Sequence, residues 1–127
     1  MNKSPSLRVL VVDDEPLIRW SLSEALADAG HSVVEAGDAG AVVQTLSSGT
    51  FDVVLLDYRL PDSNDLDLLA AVRRLSPSSA VVMMTAFGTP EVVQSAIGLG
   101  AYRVVPKPFE VQEMVDLVRE AHASTGR

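Results

Sequence analysis

The fold is decided by residues 51–62, FDVVLLDYRLPD, where an apolar run ends in a carboxylate and a turn. Phe51 and residues 53–56 are typical of a strand that is buried on both faces. Asp57 follows directly, and Pro61 marks the turn beyond it. An aspartate at a strand end is most often only a turn or cap residue, so its function depends on which other side chains the fold brings to it.

Short apolar runs alternate with segments of helical periodicity along the whole chain. The predicted strands are Leu7–Val12, Ser32–Glu35, Phe51–Leu56, Ala80–Thr85 and Tyr102–Val105. The predicted helices are about Pro16–Ala29, about Asp38–Ser48, Asn64 or Asp65 to before Pro77, Pro90 to Gly98 or Gly100, and about Val111–Ala123. This order predicts an α/β fold, a parallel sheet with helices on both faces joined by right-handed crossovers.

Length and composition restrict the class of protein. The 127 residues, 47% of them hydrophobic, suffice for one domain with a buried core. We assign residues 1–6 to an N-terminal tail, 7–123 to the domain, and 124–127 to a C-terminal tail or the start of a linker. No apolar run approaches the roughly 20 residues of a membrane span, and the N-terminus does not resemble a signal peptide.

Charge and cysteine content exclude further classes. The chain contains no cysteine, which excludes disulfides and thiol chemistry and makes the cytoplasm the expected compartment. Its formal net charge of −7 argues against direct nucleic-acid binding, because that requires a basic face.

Polar side chains stand at the ends of four predicted strands, and ligands of open α/β sheets bind beyond the carboxyl ends of the strands. These side chains are Asp13, Asp14, Glu15, Asp57, Thr85 and Lys107. Clustered carboxylates repel one another unless a cation is present, and Mg²⁺ prefers an all-oxygen set of ligands. With Mg²⁺ and Lys107 offsetting charge, Asp57 can attack phosphorus and become an acyl phosphate, while Thr85 donates a hydrogen bond to a phosphoryl oxygen.

The residues argue against two other functions and leave several single residues without a chemical role. An aspartate-based phosphatase needs a second carboxylate two residues after the nucleophile, and that position is Arg59. A nucleotide-binding role lacks both GxGxxG and GxxxxGK[ST]. His31 and His122 stand alone at helix edges and are expected at the surface, whereas Trp20 is expected to be core or half-buried.

Several motifs in this order resemble the receiver domains of two-component response regulators. They are LVVDDEP (10–16), LLDYRLPD (55–62), MMTAFG (83–88), GAYRVVPKPF (100–109) and a closing amphipathic helix. The resemblance covers about residues 7–122 and implies a flavodoxin-like (βα)5 fold, a doubly wound five-stranded sheet of order 2-1-3-4-5. IRWSL (18–22) and TAFGTPE (85–91) are particularly similar to receivers of nitrogen-regulation-type enhancer-binding activators.

The resemblance implies a role for each strand-end residue. Asp57 would accept a phosphoryl group from a phosphohistidine of a sensor histidine kinase or phosphotransfer domain. Thr85 and Lys107 would contact that group, and the Lys107–Pro108 bond would be cis. The implied ligands of Mg²⁺ are Asp13, Asp14, Asp57 and the backbone carbonyl of Arg59. The complete set disfavours a purely structural pseudo-receiver.

The resemblance also implies an output and shows two departures. Phosphorylation would switch the surface of the fourth helix, fifth strand and fifth helix to control an output such as transcription. This would act through a phosphorylation-dependent homodimer or an output domain on the full-length chain, and the domain would catalyse only its own phosphorylation and dephosphorylation. Val104 occupies a slot that is usually aromatic, with Tyr102 sharing its strand parity, and Asp65 replaces the usual glycine.

Overall fold

The structure, a computed structural model, describes residues 6–63 and 65–125. The strands are β1 Arg8–Val12, β2 Ser32–Ala36, β3 Val53–Asp57, β4 Ala80–Thr85 and β5 Arg103–Pro106. The helices are α1 Pro16–Asp28, α2 Ala39–Ser48, α3 Asp67–Leu75, α4 Pro90–Gly98 and α5 Val111–Thr125. Residues 1–5, 126 and 127 of the predicted tails lie outside the described residues, as does Asn64, one predicted start of the third helix.

The sheet has the predicted architecture. Its strand order is β2-β1-β3-β4-β5, and every neighbouring pair is parallel. Val12 lies opposite Leu56, Asp57 opposite Met84, and Thr85 opposite Pro106. These registers bring the carboxyl ends of β1, β3, β4 and β5 to one edge of the sheet, which positions the candidate site.

Two hydrophobic cores lie on opposite faces of the sheet, and β3 supplies both. Val54 and Leu56 pack in the core that includes α2 and α3, whereas Val53 and Leu55 pack in the core that includes α1 and α5. All four side chains are fully buried. Successive strand residues point to opposite faces, so burial on both faces explains why the run is apolar without alternation.

Helix ends follow local sequence signals. Thr89 caps α4 by accepting a hydrogen bond from Val92 N at 3.2 Å, and Asp38 caps α2 by accepting one from Ala41 N at 2.8 Å. Beyond the end of α4, Gly100 has φ +107°, a left-handed conformation that favours glycine.

Two expectations about burial were wrong. Trp20 is 58% exposed, because the buried stripe of α1 runs through Leu22 and Leu26 instead. His31 is only 6% exposed, and its Nδ1 accepts a hydrogen bond from Leu7 N at 3.1 Å. The imidazole therefore satisfies a buried backbone donor just before β1.

Tyr102 does not replace the aromatic residue that position 104 lacks. Val104 packs against the core formed with α2 and α3, while Tyr102 packs against the opposite core. Strand β5 begins only at Arg103, so the alternation expected from strand parity does not extend back to Tyr102. In the part of the chain that the structure describes, no helix has the length and apolar character needed to span a membrane.

Candidate functional site

Three of the predicted carboxylates converge beyond the carboxyl edge of the sheet. Asp13 and Asp14 follow β1, and Asp57 ends β3. Each offers an oxygen within 4.8 Å of the others, with Asp13 and Asp57 buried and Asp14 exposed. A partly exposed set of carboxylate oxygens fits a hard divalent cation such as Mg²⁺, which keeps some of its water ligands.

Lys107 extends from the loop after β5 into this acidic cluster. Its Nζ lies 2.8 Å from Asp13 Oδ2, 3.3 Å from Asp57 Oδ2 and 3.6 Å from Glu15 Oε1. Burial acts to lower the pKa of the ammonium, but the Asp13 hydrogen bond and the charges of Asp57 and Asp13 outweigh it and raise the pKa. Lys107 is therefore a fixed positive charge at neutral pH.

Asp57 is the carboxyl group whose protonation the site perturbs. Burial and then the charge of Asp13 raise its pKa from 3.8 to about 6, against the opposing effects of Lys107 and of the backbone hydrogen bond from Arg59. The Arg59 N–H donates to Asp57 Oδ1 at 3.4 Å. Without a bound cation, the ionised form of Asp57 is therefore disfavoured, and any further positive charge nearby would stabilise it.

Asp13 is held on several sides. Its Oδ1 accepts a hydrogen bond from Glu15 N at 2.9 Å, and its own N–H donates to Ala36 O at 3.2 Å. Together with Lys107 on Oδ2, these bonds fix the acidic loop between β1 and α1.

Thr85 and two exposed side chains lie at the same edge of the sheet as Asp57. Thr85 ends β4 and is 2% exposed, and its Oγ1 accepts a hydrogen bond from Phe87 N at 3.0 Å. The hydroxyl keeps one proton to donate. The Arg59 guanidinium carbon lies 5.0 Å from the centroid of the Phe87 ring, a cation–π contact between the loops after β3 and β4.

A groove of about 490 Å³ opens beside Lys107. It lies between α1 and the loop leading to α5, and the Lys107–Pro108 bond in that loop is cis, as the resemblance implied. Its lining is mostly apolar and includes Leu17, Ile18, Ser21, Ala86, Pro108 and Phe109.

Two contacts at this edge were missed by sequence reasoning. The ion pair of Glu15 with Lys107 was not assigned, although Glu15 follows the two aspartates directly. Arg19 Nη1 donates to the backbone carbonyl of Asp13 at 2.7 Å. The available signal was a basic residue in the first turns of the helix that follows an acidic loop.

This arrangement combines a buried carboxylate, a nearby ammonium and a set of oxygens that fits a divalent cation. The Lys107 ammonium and a divalent cation bound by these oxygens could together hold a tetrahedral dianion, such as a phosphoryl group, next to Asp57. Both positive charges would then face the oxygens of that group.

Comparison with known proteins gives concordant matches. A family model described as "Response regulator receiver domain" matches residues 9–119. The DNA-binding transcriptional regulator NtrC of Escherichia coli (strain K12) is 40% identical over 113 residues, 89% of this chain and 24% of the relative. The chain thus spans about a quarter of the length of the curated relatives it matches.

Solved structures agree with this result. A response regulator receiver domain protein (CheY-like) from Methanospirillum hungatei JF-1 superposes with a TM-score of 0.90 at 26% identity, covering 95% of this chain and 97% of that one. The beryllofluoride-activated NtrC4 receiver domain dimer gives a TM-score of 0.87 at 31% identity, covering 94% and 98%.

Proposed function

This chain belongs to the family of response regulator receiver domains, and we propose that it accepts a phosphoryl group on Asp57 in a Mg²⁺-dependent reaction. The donor is a phosphohistidine of a sensor histidine kinase or phosphotransfer domain. The observation that supports this most is the position of Asp57, buried 3.3 Å from Lys107 Nζ and within 4.8 Å of oxygens of Asp13 and Asp14.

In the proposed reaction a carboxylate oxygen of Asp57 attacks phosphorus, and the bond from phosphorus to the histidine nitrogen breaks. The imidazole leaves with the bonding electron pair and takes up a proton, and the product is an acyl phosphate on Asp57. Bound Mg²⁺, held by Asp13, Asp14, Asp57 and the Arg59 carbonyl, would supply charge stabilisation to the phosphoryl oxygens.

Lys107 and Thr85 would complete the phosphoryl site. Lys107 contacts both Asp13 and Asp57, so a small movement of its flexible side chain suffices to pair it with a phosphoryl oxygen. The buried Thr85 hydroxyl would donate to another oxygen. In this role the domain is a signalling element whose own chemistry is limited to gaining and losing the phosphoryl group.

The test is intact-mass spectrometry after incubation with Mg²⁺ and acetyl phosphate. Wild type should gain the mass of one phosphoryl group, and Asp57→Asn and chelated samples should gain none. Asp116→Asn, an exposed carboxylate on α5, is a matched control and should be labelled like wild type. No gain on wild type, or an equal gain on Asp57→Asn, excludes the proposal.

We further propose that the kinase docks in the groove beside Lys107. The groove is mostly apolar and adjoins the site, and Leu17 on its rim is 72% exposed. Leu17→Glu and Ile18→Glu should slow transfer from the kinase but preserve labelling by acetyl phosphate, which needs no docking surface. Unchanged transfer to a folded variant contradicts this assignment.

Dimerisation through α4, β5 and α5 is proposed as the response to phosphorylation. The NtrC4 receiver domain is described as a beryllofluoride-activated dimer, and this chain exposes Ile97 and Leu99 at the end of α4. Ala96, on the same helix, is fully buried and is not part of this surface. Sedimentation with and without beryllofluoride tests the proposal, and a species that remains monomeric opposes it.

The output proposed for the full-length protein is control of transcription, since the matched relatives are DNA-binding transcriptional regulators. An output domain on the same full-length chain would carry the DNA contacts, because the described domain is acidic.

A further inference from the structure

Arg19 connects three elements at the carboxyl edge of the sheet. It lies on α1, and its Nη1 donates to the Asp13 carbonyl oxygen at 2.7 Å. Its Nε donates to Glu35 Oε1 at 3.2 Å, at the end of β2. The Arg19 side chain is 22% exposed, so the fork of the guanidinium is largely enclosed between the acidic loop and β2.

The carbonyl that Arg19 binds belongs to a proposed metal ligand. Asp13 is fully buried, and its N–H and side chain are already held by Ala36, Glu15 and Lys107. Arg19 supplies the bond to its carbonyl, and so fixes the peptide that joins Asp13 to Asp14. The orientation of both carboxylates depends on that peptide.

A second, independent observation comes from Gly37. A Cβ built at Gly37 would lie 3.0 Å from Arg19 Nη1 and 4.0 Å from the Asp13 carbonyl oxygen. Gly37 does not have a positive φ, so its backbone conformation is open to other residues. The missing side chain instead leaves the space in which the guanidinium reaches Asp13.

From these contacts we infer that Arg19 is a positioning residue for the acidic loop, setting the geometry with which Asp13 and Asp14 hold the divalent cation. The inference rests on the proposed function, because it assigns Arg19 a role in that same site. Groups that orient metal ligands commonly change metal affinity by about 10–100-fold when they are removed.

The positive charge of Arg19 and its positioning of the acidic loop should affect Mg²⁺ affinity in opposite directions, so substitutions can tell the two roles apart. Loss of a positive charge near a cation site strengthens cation binding, whereas loss of ligand orientation weakens it. Arg19→Met removes the charge and the hydrogen bonds. Arg19→Lys keeps the charge but loses the forked geometry.

The experiment is a Mg²⁺ titration of the folded domain. Chemical-shift changes of the backbone amides, recorded by NMR at each Mg²⁺ concentration, give the Kd. We expect both Arg19→Met and Arg19→Lys to bind Mg²⁺ about tenfold more weakly than wild type. Gly37→Ala keeps Arg19 but crowds it, and it should weaken binding in the same direction. It decides the question if an Arg19 variant does not fold.

Two control variants separate the effect of positioning the acidic loop from the effect of net charge on Mg²⁺ affinity. Glu35→Gln keeps an acceptor for Arg19 Nε and should stay within about twofold of wild type, as expected for loss of an ion pair whose carboxylate is 42% exposed. Arg74→Met removes an exposed positive charge from α3 and should also leave Kd unchanged.

Each result has a definite meaning. A Kd within twofold of wild type for folded Arg19→Met and Arg19→Lys overturns the inference. Tighter binding by Arg19→Met with unchanged binding by Arg19→Lys also overturns it, because Arg19 would then act only through charge. If wild type itself binds no Mg²⁺, the proposed function fails first, which distinguishes the two failures.

Discussion

Replacing Asp57, the proposed phosphoacceptor, with asparagine should stabilise the metal-free domain. Asp57 has a pKa of about 6 in the fold against an ordinary value of 3.8, chiefly because of burial and then the charge of Asp13. A carboxyl group with a raised pKa binds more protons in the folded state, so its ionisation opposes folding. Asparagine has nearly the same shape and carries no charge.

The magnitude follows from the two pKa values. Their difference, at about 1.36 kcal/mol per pH unit, corresponds to up to about 3 kcal/mol of destabilisation once Asp57 is fully ionised in the folded protein, well above pH 6. The effect should decline as the pH falls through 6 and vanish below about 3.8. Lys107 keeps its 2.8 Å contact with Asp13 in the variant, so no unpaired ammonium cancels the gain.

Urea denaturation in the presence of a chelator measures the effect. The free energy of unfolding of Asp57→Asn should exceed that of wild type by up to about 3 kcal/mol at pH 8, and the two should agree well below pH 3.8. Groups that do not contact Asp57 titrate equally in both proteins and cancel in the difference, and Lys107 keeps its positive charge in both because it stays paired with Asp13. A variant that is less stable at pH 8, or a difference that does not change with pH, would refute the reasoning.

Three further predictions concern stability, metal binding and phosphate lifetime. Gly100→Ala should lose about 1–2 kcal/mol in urea denaturation, because Gly100 has φ +107° and a Cβ there would lie 2.6 Å from Arg73 Nε. The control Gly98→Ala has open space and should gain up to about 1 kcal/mol; equal effects would contradict the argument. Mg²⁺ at 100 times Kd should raise the free energy of unfolding of wild type, measured in urea, by about 2.7 kcal/mol, and an unchanged value speaks against a metal site. Arg59→Ala should shorten the acyl-phosphate lifetime roughly two- to fivefold through loss of the Phe87 contact, and an unchanged decay of radiolabelled protein removes that role.

The side chains at the strand ends could be predicted because the alternation of apolar runs and helical segments predicts a parallel sheet. Continuous apolar runs predicted strands buried on both faces, and a parallel sheet then placed Asp13, Asp57 and Lys107 at one edge. The strand ends can be brought together in this prediction without knowing any distance between them, because the carboxyl ends of parallel strands share one edge of the sheet.

Contacts to backbone groups could not be predicted in this way. Arg19 binds a carbonyl and His31 accepts from an N–H, and backbone groups carry no sequence signal of their own. Trp20 is exposed because the buried stripe of α1 runs through Leu22 and Leu26. The place of Tyr102 depends on where β5 begins, and element ends are where periodicity is least informative.

The crowding of carboxylates around Lys107 links folding to cation supply. Repulsion among these carboxylates lowers the stability of the metal-free fold, and the proposed divalent ion would relieve it on binding. The free energy lost in stability would then reappear as affinity for the ion. Variants that stabilise the metal-free domain by neutralising one of these carboxylates should consequently bind the ion less tightly. Stability without the ion and affinity for the ion would therefore oppose each other at one small group of oxygens.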